Sequence, residues 1–182
     1  LILAPLLIII AFLVKTGSRG PVLFRQKRVG QFGVCFQVLK FRTMFVDAEK
    51  LGPKISAVKD KRITRIGSIL RQLKLDELPQ LVNVLVGQMS LVGPRPEVPK
   101  YVALFRQDYE EILKIKPGIT DFASLEYRNE GDLLELSDDP DHTYVSEILP
   151  AKIIHYKRYI REQSLIVDVK LILATIWSSL FR

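Results

Sequence analysis

The sequence predicts a mixed α/β domain in which a small sheet is surrounded by helices, and three observations predict it. Two short strand-like runs, 21–28 and 34–41, flank a turn that contains Gly30 and Gly33. Apolar residues recur at helical spacing over 63–73 and again over 164–182. Apolar residues are also concentrated at the two ends of the chain, a distribution that points towards a membrane. The 182 residues suffice for one domain with its own core.

Leu1 to Val14 form an almost unbroken apolar run that stops at Lys15 and is followed by the turn Thr16-Gly17-Ser18-Arg19-Gly20-Pro21. Fourteen residues fall short of the roughly 20 that a spanning helix needs. Three readings stay open: a spanning helix that begins upstream of Leu1, a re-entrant or interfacial helix broken at Pro5, and a buried core helix. No charged segment precedes the run, which argues against a cleaved signal peptide. The basic residues after it place that end on the cytoplasmic side.

Pro21 to Arg28 and Val34 to Phe41 read as the two strands of a hairpin turning through Gly30-Gln31-Phe32-Gly33. In the second strand Lys40 and Arg42 share a face, and Phe41 faces away. Two cations on one side of a strand need an anion or water. Cys35 is the only cysteine, so an intrachain disulfide and a thiolate zinc cage are excluded. Its place in Val34-Cys35-Phe36 predicts a buried, inert thiol. His142 and His155 have no partner at metal spacing, and neither is given a role.

Thr43 is expected to cap a helix running to about Leu51 and ending at Gly52-Pro53. Ile63, Ile66, Ile69, Leu70 and Leu73 then give one apolar helical face, with Arg62, Arg65, Arg71 and Lys74 around it. The next helix is placed at Asp76-Glu77-Leu78-Pro79, two acids and a proline in a first turn, with Leu81, Val82 and Leu85 inward and Gly87 as the stop. On position alone, acids in a first turn serve the helix dipole; chemistry is the alternative.

Pro94 and Pro96 stiffen Gly93-Pro94-Arg95-Pro96-Glu97 and hold Arg95 in a narrow range of directions. A guanidinium so presented suits bidentate phosphate binding, while an exposed arginine in a turn is the plain alternative. Lys116-Pro117-Gly118 reads as a turn followed by a loop to Glu130 that contains Arg128 and Asn129. Leu165, Ile166, Val169, Ile172, Leu173, Ile176 and Leu180 make Ser164 to Arg182 an amphipathic helix with Trp177 near its end. It is read as lying in a membrane interface, although a core-packing helix has the same pattern.

Charge is divided unevenly. Residues 15–74 hold 15 Lys/Arg against 3 Asp/Glu, whereas 75–182 hold 12 against 17. The basic half calls for an anionic partner: nucleic acid, anionic lipid or substrate phosphates. Few aromatics interleave with these cations, which argues against base stacking. Neighbouring helical residues lie about 100° apart, so Asp76 and Glu77 do not face each other across a bond as glycosidase carboxylates do.

Five blocks occur in order: Lys40-Phe41-Arg42-Thr43-Met44; Thr64-Arg65-Ile66-Gly67 through Leu70-Arg71; Leu75-Asp76-Glu77-Leu78-Pro79-Gln80-Leu81; Met89-Ser90-Leu91-Val92-Gly93-Pro94-Arg95-Pro96; and Lys116-Pro117-Gly118-Ile119-Thr120. Together they resemble the bacterial sugar transferase family, the monotopic phosphoglycosyl transferases that act on polyprenol (undecaprenyl) phosphate. The resemblance implies that Asp76 attacks the sugar-bearing phosphate of a UDP-sugar, expels UMP and carries a phosphosugar until polyprenol phosphate takes it. It implies Mg2+ held near Asp76 and Glu77, with Lys40, Arg71, Arg95 and Arg128 around the phosphates and nucleotide. A helix N-terminus with Arg71 and Lys74 nearby is expected to favour the ionised nucleophile.

The resemblance also implies a membrane-embedded re-entrant helix at 1–15 and one cytosolic catalytic domain at 16–182, on the cytoplasmic face of a bacterial inner membrane. No nucleic acid is expected as a partner. The family's Ser-Pro break is Ala4-Pro5 here, and Asp121 stands where the family commonly has Gly. That difference, with Ser124-Leu125-Glu126-Tyr127, is expected to bear on which sugar is bound.

Overall fold

The structure, a computed structural model, describes residues 3–46, 48 and 62–180. Helix α1 (Ala4–Gly17) carries Pro5 in its first turn, where a missing N–H breaks no intrahelical bond. The helix is continuous from Ala4 to Gly17. Ile10 and Val14 pack against Phe41 and Leu70, whereas Ile8, Ile9 and Phe12 stay exposed. No described helix is long and apolar enough to cross a membrane.

Strands β1 (Leu23–Val29) and β2 (Cys35–Phe41) form the expected antiparallel hairpin, with Leu23 opposite Phe41 and Val29 opposite Cys35. Alternation turns Phe36 and Val38 inward and leaves Cys35 exposed, so the buried thiol expected there is corrected. Among the described residues Arg42 meets carbonyls and a hydroxyl and no anion. Its Nη2 donates to the carbonyls of Val14 at 3.3 Å and Ser18 at 2.8 Å, and its Nη1 to that of Arg19 at 2.8 Å. The cation thus closes the C-terminal end of α1, where carbonyls lack helical partners and the dipole favours positive charge.

Among the described residues Thr43 caps no helix. Its carbonyl accepts Thr64 N–H at 2.9 Å, and Met44 bridges Ile63 in antiparallel fashion. The remainder of the helix expected to Leu51, with its Gly52-Pro53 stop, falls largely outside the described residues. Helix α2 (Arg65–Gln72) is capped by Thr64 Oγ1, which accepts from Gly67 N–H at 2.9 Å. A Cβ on Gly67 would lie 2.0 Å from the Thr43 carbonyl oxygen, so glycine permits this approach. Ile66 and Leu70 face the core as expected, but Ile69 and Leu73 are exposed.

Helix α3 (Gln80–Leu85) lies on β2 through its polar side. Asn83 Nδ2 donates to the Gln37 carbonyl at 2.8 Å, and its Oδ1 accepts Leu39 N–H at 3.1 Å. Gln80 and Asn83 are consequently buried while Val82 and Leu85 are exposed. The inward face expected for Val82 and Leu85 is reversed, because the amide of Asn83 satisfies main-chain groups of β2 that an apolar residue would leave unpaired. Gly87, at φ 79°, ends the helix as predicted.

Strands β3 (Ser90–Val92) and β4 (Gly118–Thr120) pair in parallel, so the described strands form two separate two-stranded sheets. Between them run α4 (Pro99–Leu104) and α5 (Arg106–Ile112). The loop expected up to Glu130 is instead β4 followed by α6 (Phe122–Glu126), with α7 (Glu130–Glu135) beginning at its far end. Helix α8 (Pro140–Thr143) passes through a π-helical turn at Tyr144–Ile148 into α9 (Leu149–Glu162). The largest core gathers Tyr109, Ala123, Tyr144, Leu149, Ile153 and Tyr156 among others from these helices.

Helix α10 (Leu165–Leu180) buries Leu171 against Val92 and Tyr159. Leu165, Ile166, Val169, Leu173, Ile176 and Trp177 are exposed. At about 100° per residue these six fall within an arc of roughly 120° that excludes Leu171.

Candidate active site

Asp76 and Glu77 lie in a 3-10 turn at Leu75–Glu77, ahead of Pro79 and α3 rather than in the first turn of that helix. Lys74 enters the turn at φ 56°, a left-handed conformation that costs a non-glycine residue about 1–2 kcal/mol. Such strain, held next to two acids, is the kind found at functional sites. The turn lies against the end of β2, and the stiff segment 93–97 closes it from another direction.

The two acids are treated differently. Lys40 Nζ donates to Glu77 Oε1 at 2.8 Å, Arg95 Nη1 donates to Oε2 at 3.1 Å, and Arg95 Nη2 donates to Oε1. Burial alone would raise the Glu77 carboxyl, but Arg95 and Lys40 outweigh it and hold the group well below its ordinary value of 4.5. Asp76 is buried, and its carboxyl is pushed above 3.8 by that burial first and by Glu77 second. Lys40, Arg71 and Lys74 act against the rise without cancelling it. The expectation that a helix N-terminus and nearby cations favour ionised Asp76 is thus corrected. The acid pair stands in a single 3-10 turn ahead of α3, and desolvation outweighs the cations.

Five of the six residues singled out meet directly or through charge: Asp76, Glu77, Lys40, Arg71 and Arg95. Arg71 Nε donates to Thr43 Oγ1 at 2.9 Å, which fixes its stem beside Asp76. Arg128, partly buried after α6, stands near enough to Lys74 for their charges to interact. The phosphate-presenting arginine of the sequence reading is therefore bidentate on a carboxylate, the same fork geometry satisfied by an internal partner.

Sequence reasoning missed the roles of the residues that hold this arrangement. Asn83 fixes α3 on β2, and its signal was a lone amide inside an apolar helix pattern. Glu97, buried, accepts Arg28 Nη1 at 2.9 Å and Tyr144 O–H at 2.6 Å. Asp121, fully buried, caps α6 by accepting Ser124 N–H at 2.6 Å, and its other oxygen accepts Arg95 N–H at 3.1 Å.

A magnesium ion takes oxygen ligands, commonly one or two carboxylates together with substrate phosphates. Asp76 would offer a carboxylate to such an ion, and the hydrogen bonds of Lys40 and Arg95 go to Glu77. Glu77 Oε2 receives a single N–H and keeps a second lone pair. The donor set fits. Among the described residues no cluster of three or more His, Cys, Asp or Glu forms a self-sufficient metal cage.

The bacterial sugar transferase family model matches residues 1–182. The chain is 42% identical over 183 residues to a UDP-glucose:undecaprenyl-phosphate glucose-1-phosphate transferase of Klebsiella pneumoniae, covering 97% of this chain and 36% of that protein. It is 38% identical over 178 residues to a UDP-N-acetylgalactosamine-undecaprenyl-phosphate N-acetylgalactosaminephosphotransferase of Aeromonas hydrophila, covering 95% and 38%. It is also 38% identical over 189 residues to the exopolysaccharide production protein PSS of Rhizobium leguminosarum, covering 100% and 89%. The chain thus spans little more than a third of the length of the first two and most of the third. With the family model matched along its whole length, the chain belongs to the bacterial sugar transferase family.

Proposed function

We propose that this chain is the catalytic part of a membrane-associated phosphoglycosyl transferase, which moves a sugar 1-phosphate from a UDP-sugar to polyprenol (undecaprenyl) phosphate. The observation that carries the reading is the division of labour in the acid pair. The hydrogen bonds of Lys40 and Arg95 go to Glu77, while Asp76 is buried among the charges of Lys40, Arg71 and Lys74.

In the first half-reaction an ionised Asp76 oxygen attacks the β-phosphorus. The bond from that phosphorus to the bridging oxygen breaks, and UMP leaves with the oxygen. In the second, an oxygen of polyprenol phosphate attacks the same phosphorus. The bond to Asp76 breaks, the carboxylate is restored, and a polyprenol diphosphate sugar results. Anion meets anion in both steps, so positive charge must be built in. Arg95 keeps three N–H donors beyond the two on Glu77, and Lys40 keeps two beyond its one. Arg71 and Arg128 add charge around the phosphates and nucleotide. Asp76 and Glu77 would hold Mg2+, which when bound neutralises developing charge on the diphosphate. Glu77 fixes Lys40 and Arg95, a task for which it must stay ionised.

The exposed apolar residues of α1, of α10 and of α3 at Val82 and Leu85 fit a chain seated in the lipid interface. With the basic residues that follow the first apolar run, this reading puts the chain on the cytoplasmic face of a bacterial inner membrane, with α1 as the embedded element and 16–182 as the catalytic domain. The reaction would be the first membrane step in building a glycoconjugate.

The test is to incubate the purified protein with polyprenol phosphate and a panel including UDP-glucose and UDP-N-acetylgalactosamine. UMP release and an intact-mass adduct of one phosphosugar are expected, both lost in Asp76→Asn. An adduct of bare phosphate would identify a hydrolase, and near-full turnover by Asp76→Asn would remove Asp76 as nucleophile.

A further inference from the structure

Pro94 and Pro96 carry no N–H, so Arg95 N–H is the sole main-chain donor of the Pro94-Arg95-Pro96 triplet. That donor is taken by Asp121 Oδ2 at 3.1 Å. The neighbouring carbonyls are held as well. Pro94 accepts Gly118 N–H at 3.0 Å, and Pro96 accepts Arg28 Nη1 at 3.1 Å. Each of three consecutive residues is thus gripped by a different part of the fold, and Asp121 grips the one whose side chain reaches Glu77. Asp121 is completely buried, and a buried carboxyl group is costly unless it is hydrogen-bonded, as both of its oxygens are here.

We infer that Asp121 is a positioning residue for Arg95: by holding the Arg95 main chain it sets the guanidinium bidentate on Glu77, and it acts on the reaction only through that arginine. This rests on the proposed reading of the acid pair. The two carboxylate oxygens do separate work, because Oδ1 caps α6 through Ser124 N–H and Oδ2 takes Arg95 N–H. Asparagine separates these tasks. It is as good an N-cap as aspartate, and with its oxygen on Ser124 it presents an NH2 group to the Arg95 N–H, donor against donor.

The experiment is a double-mutant cycle on the full chain with Asp121→Asn and Arg95→Lys, each made alone and together. Rates are read as UMP release. Misplacement of a substrate-facing group by an ångström costs about 10²-fold, so Asp121→Asn is expected to lower kcat by roughly 10- to 100-fold in the parent. In the Arg95→Lys background the further loss is expected to stay within about twofold. A merely capping role predicts that Asp121→Asn matches the parent, and equal losses in both backgrounds would show that Asp121 acts independently of Arg95. Either result overturns the inference.

The same four proteins are melted without substrate. Asp121→Asn should lower Tm more when Arg95 is present than when lysine replaces it, and equal shifts refute the coupling. Absence of UMP release from the parent with any UDP-sugar would count against the proposed function, and the melting cycle would still decide the role of Asp121.

Discussion

The Arg95 guanidinium closes on the carboxylate of Glu77, with Nη1 on Oε2 at 3.1 Å and Nη2 on Oε1, and not on Asp76 beside it in the chain. One acid is thereby fixed as a permanent anion that organises two cations. The other is left buried, with a proton that burial and its neighbour make harder to remove.

Glu77→Gln should destabilise the protein, because it leaves Lys40 and Arg95 facing a neutral amide. Removing one partner of a fully buried pair costs about 3–5 kcal/mol. Here the side chains keep 13%, 21% and 30% exposure, so about 2 kcal/mol is expected by denaturant unfolding. No change in midpoint would show that the cluster stores no stability.

The pH dependence follows from the raised Asp76 carboxyl. A raised acid costs stability once its unfolded form ionises, so the cost is absent below the ordinary value of 3.8, grows as pH rises from there to the folded value, and is full above it. Asp76→Asn should therefore melt higher at pH 7, by about 2–4 °C for each kcal/mol relieved, and the gap should close towards pH 3.8. Turnover, which needs the carboxylate, should show an acid limb above 3.8. A limb at or below that value would contradict the assignment.

Asn83→Ala removes the hydrogen bonds to Gln37 and Leu39 that seat α3 on β2. A loss of about 2–3 kcal/mol is expected in chemical denaturation, since a main-chain group of β2 is left without its partner. A loss below about 0.5 kcal/mol, the level of an ordinary surface substitution, would mean that α3 is held by other contacts.

Trp177 is the only tryptophan, so its fluorescence reports on α10 without labelling. It is exposed, and its emission should shift to the blue when vesicles containing anionic lipid are added. Leu173→Glu with Ile176→Glu should abolish the shift and weaken sedimentation with vesicles by more than about tenfold. An unchanged spectrum on vesicle addition would remove α10 from the membrane contact.

By itself the sequence determined the hairpin, helix α2, the stop at Gly87, the apolar stripe of α10 and the identity of the residues that gather around the acid pair. These are read from local periodicity, turn chemistry and ordered motifs, which act over a few residues at a time. Tertiary structure decided which acid Lys40 and Arg95 pair with, because those partners lie 37 and 18 residues apart in the chain. It also decided the direction of the Asp76 shift, since desolvation depends on what folds over a group and not on its neighbours in sequence. The reversed face of α3 and the exposure of Cys35 have the same origin. An amphipathic pattern fixes which residues share a side, and only the hydrogen-bonding needs of the packed strand decide which side turns in.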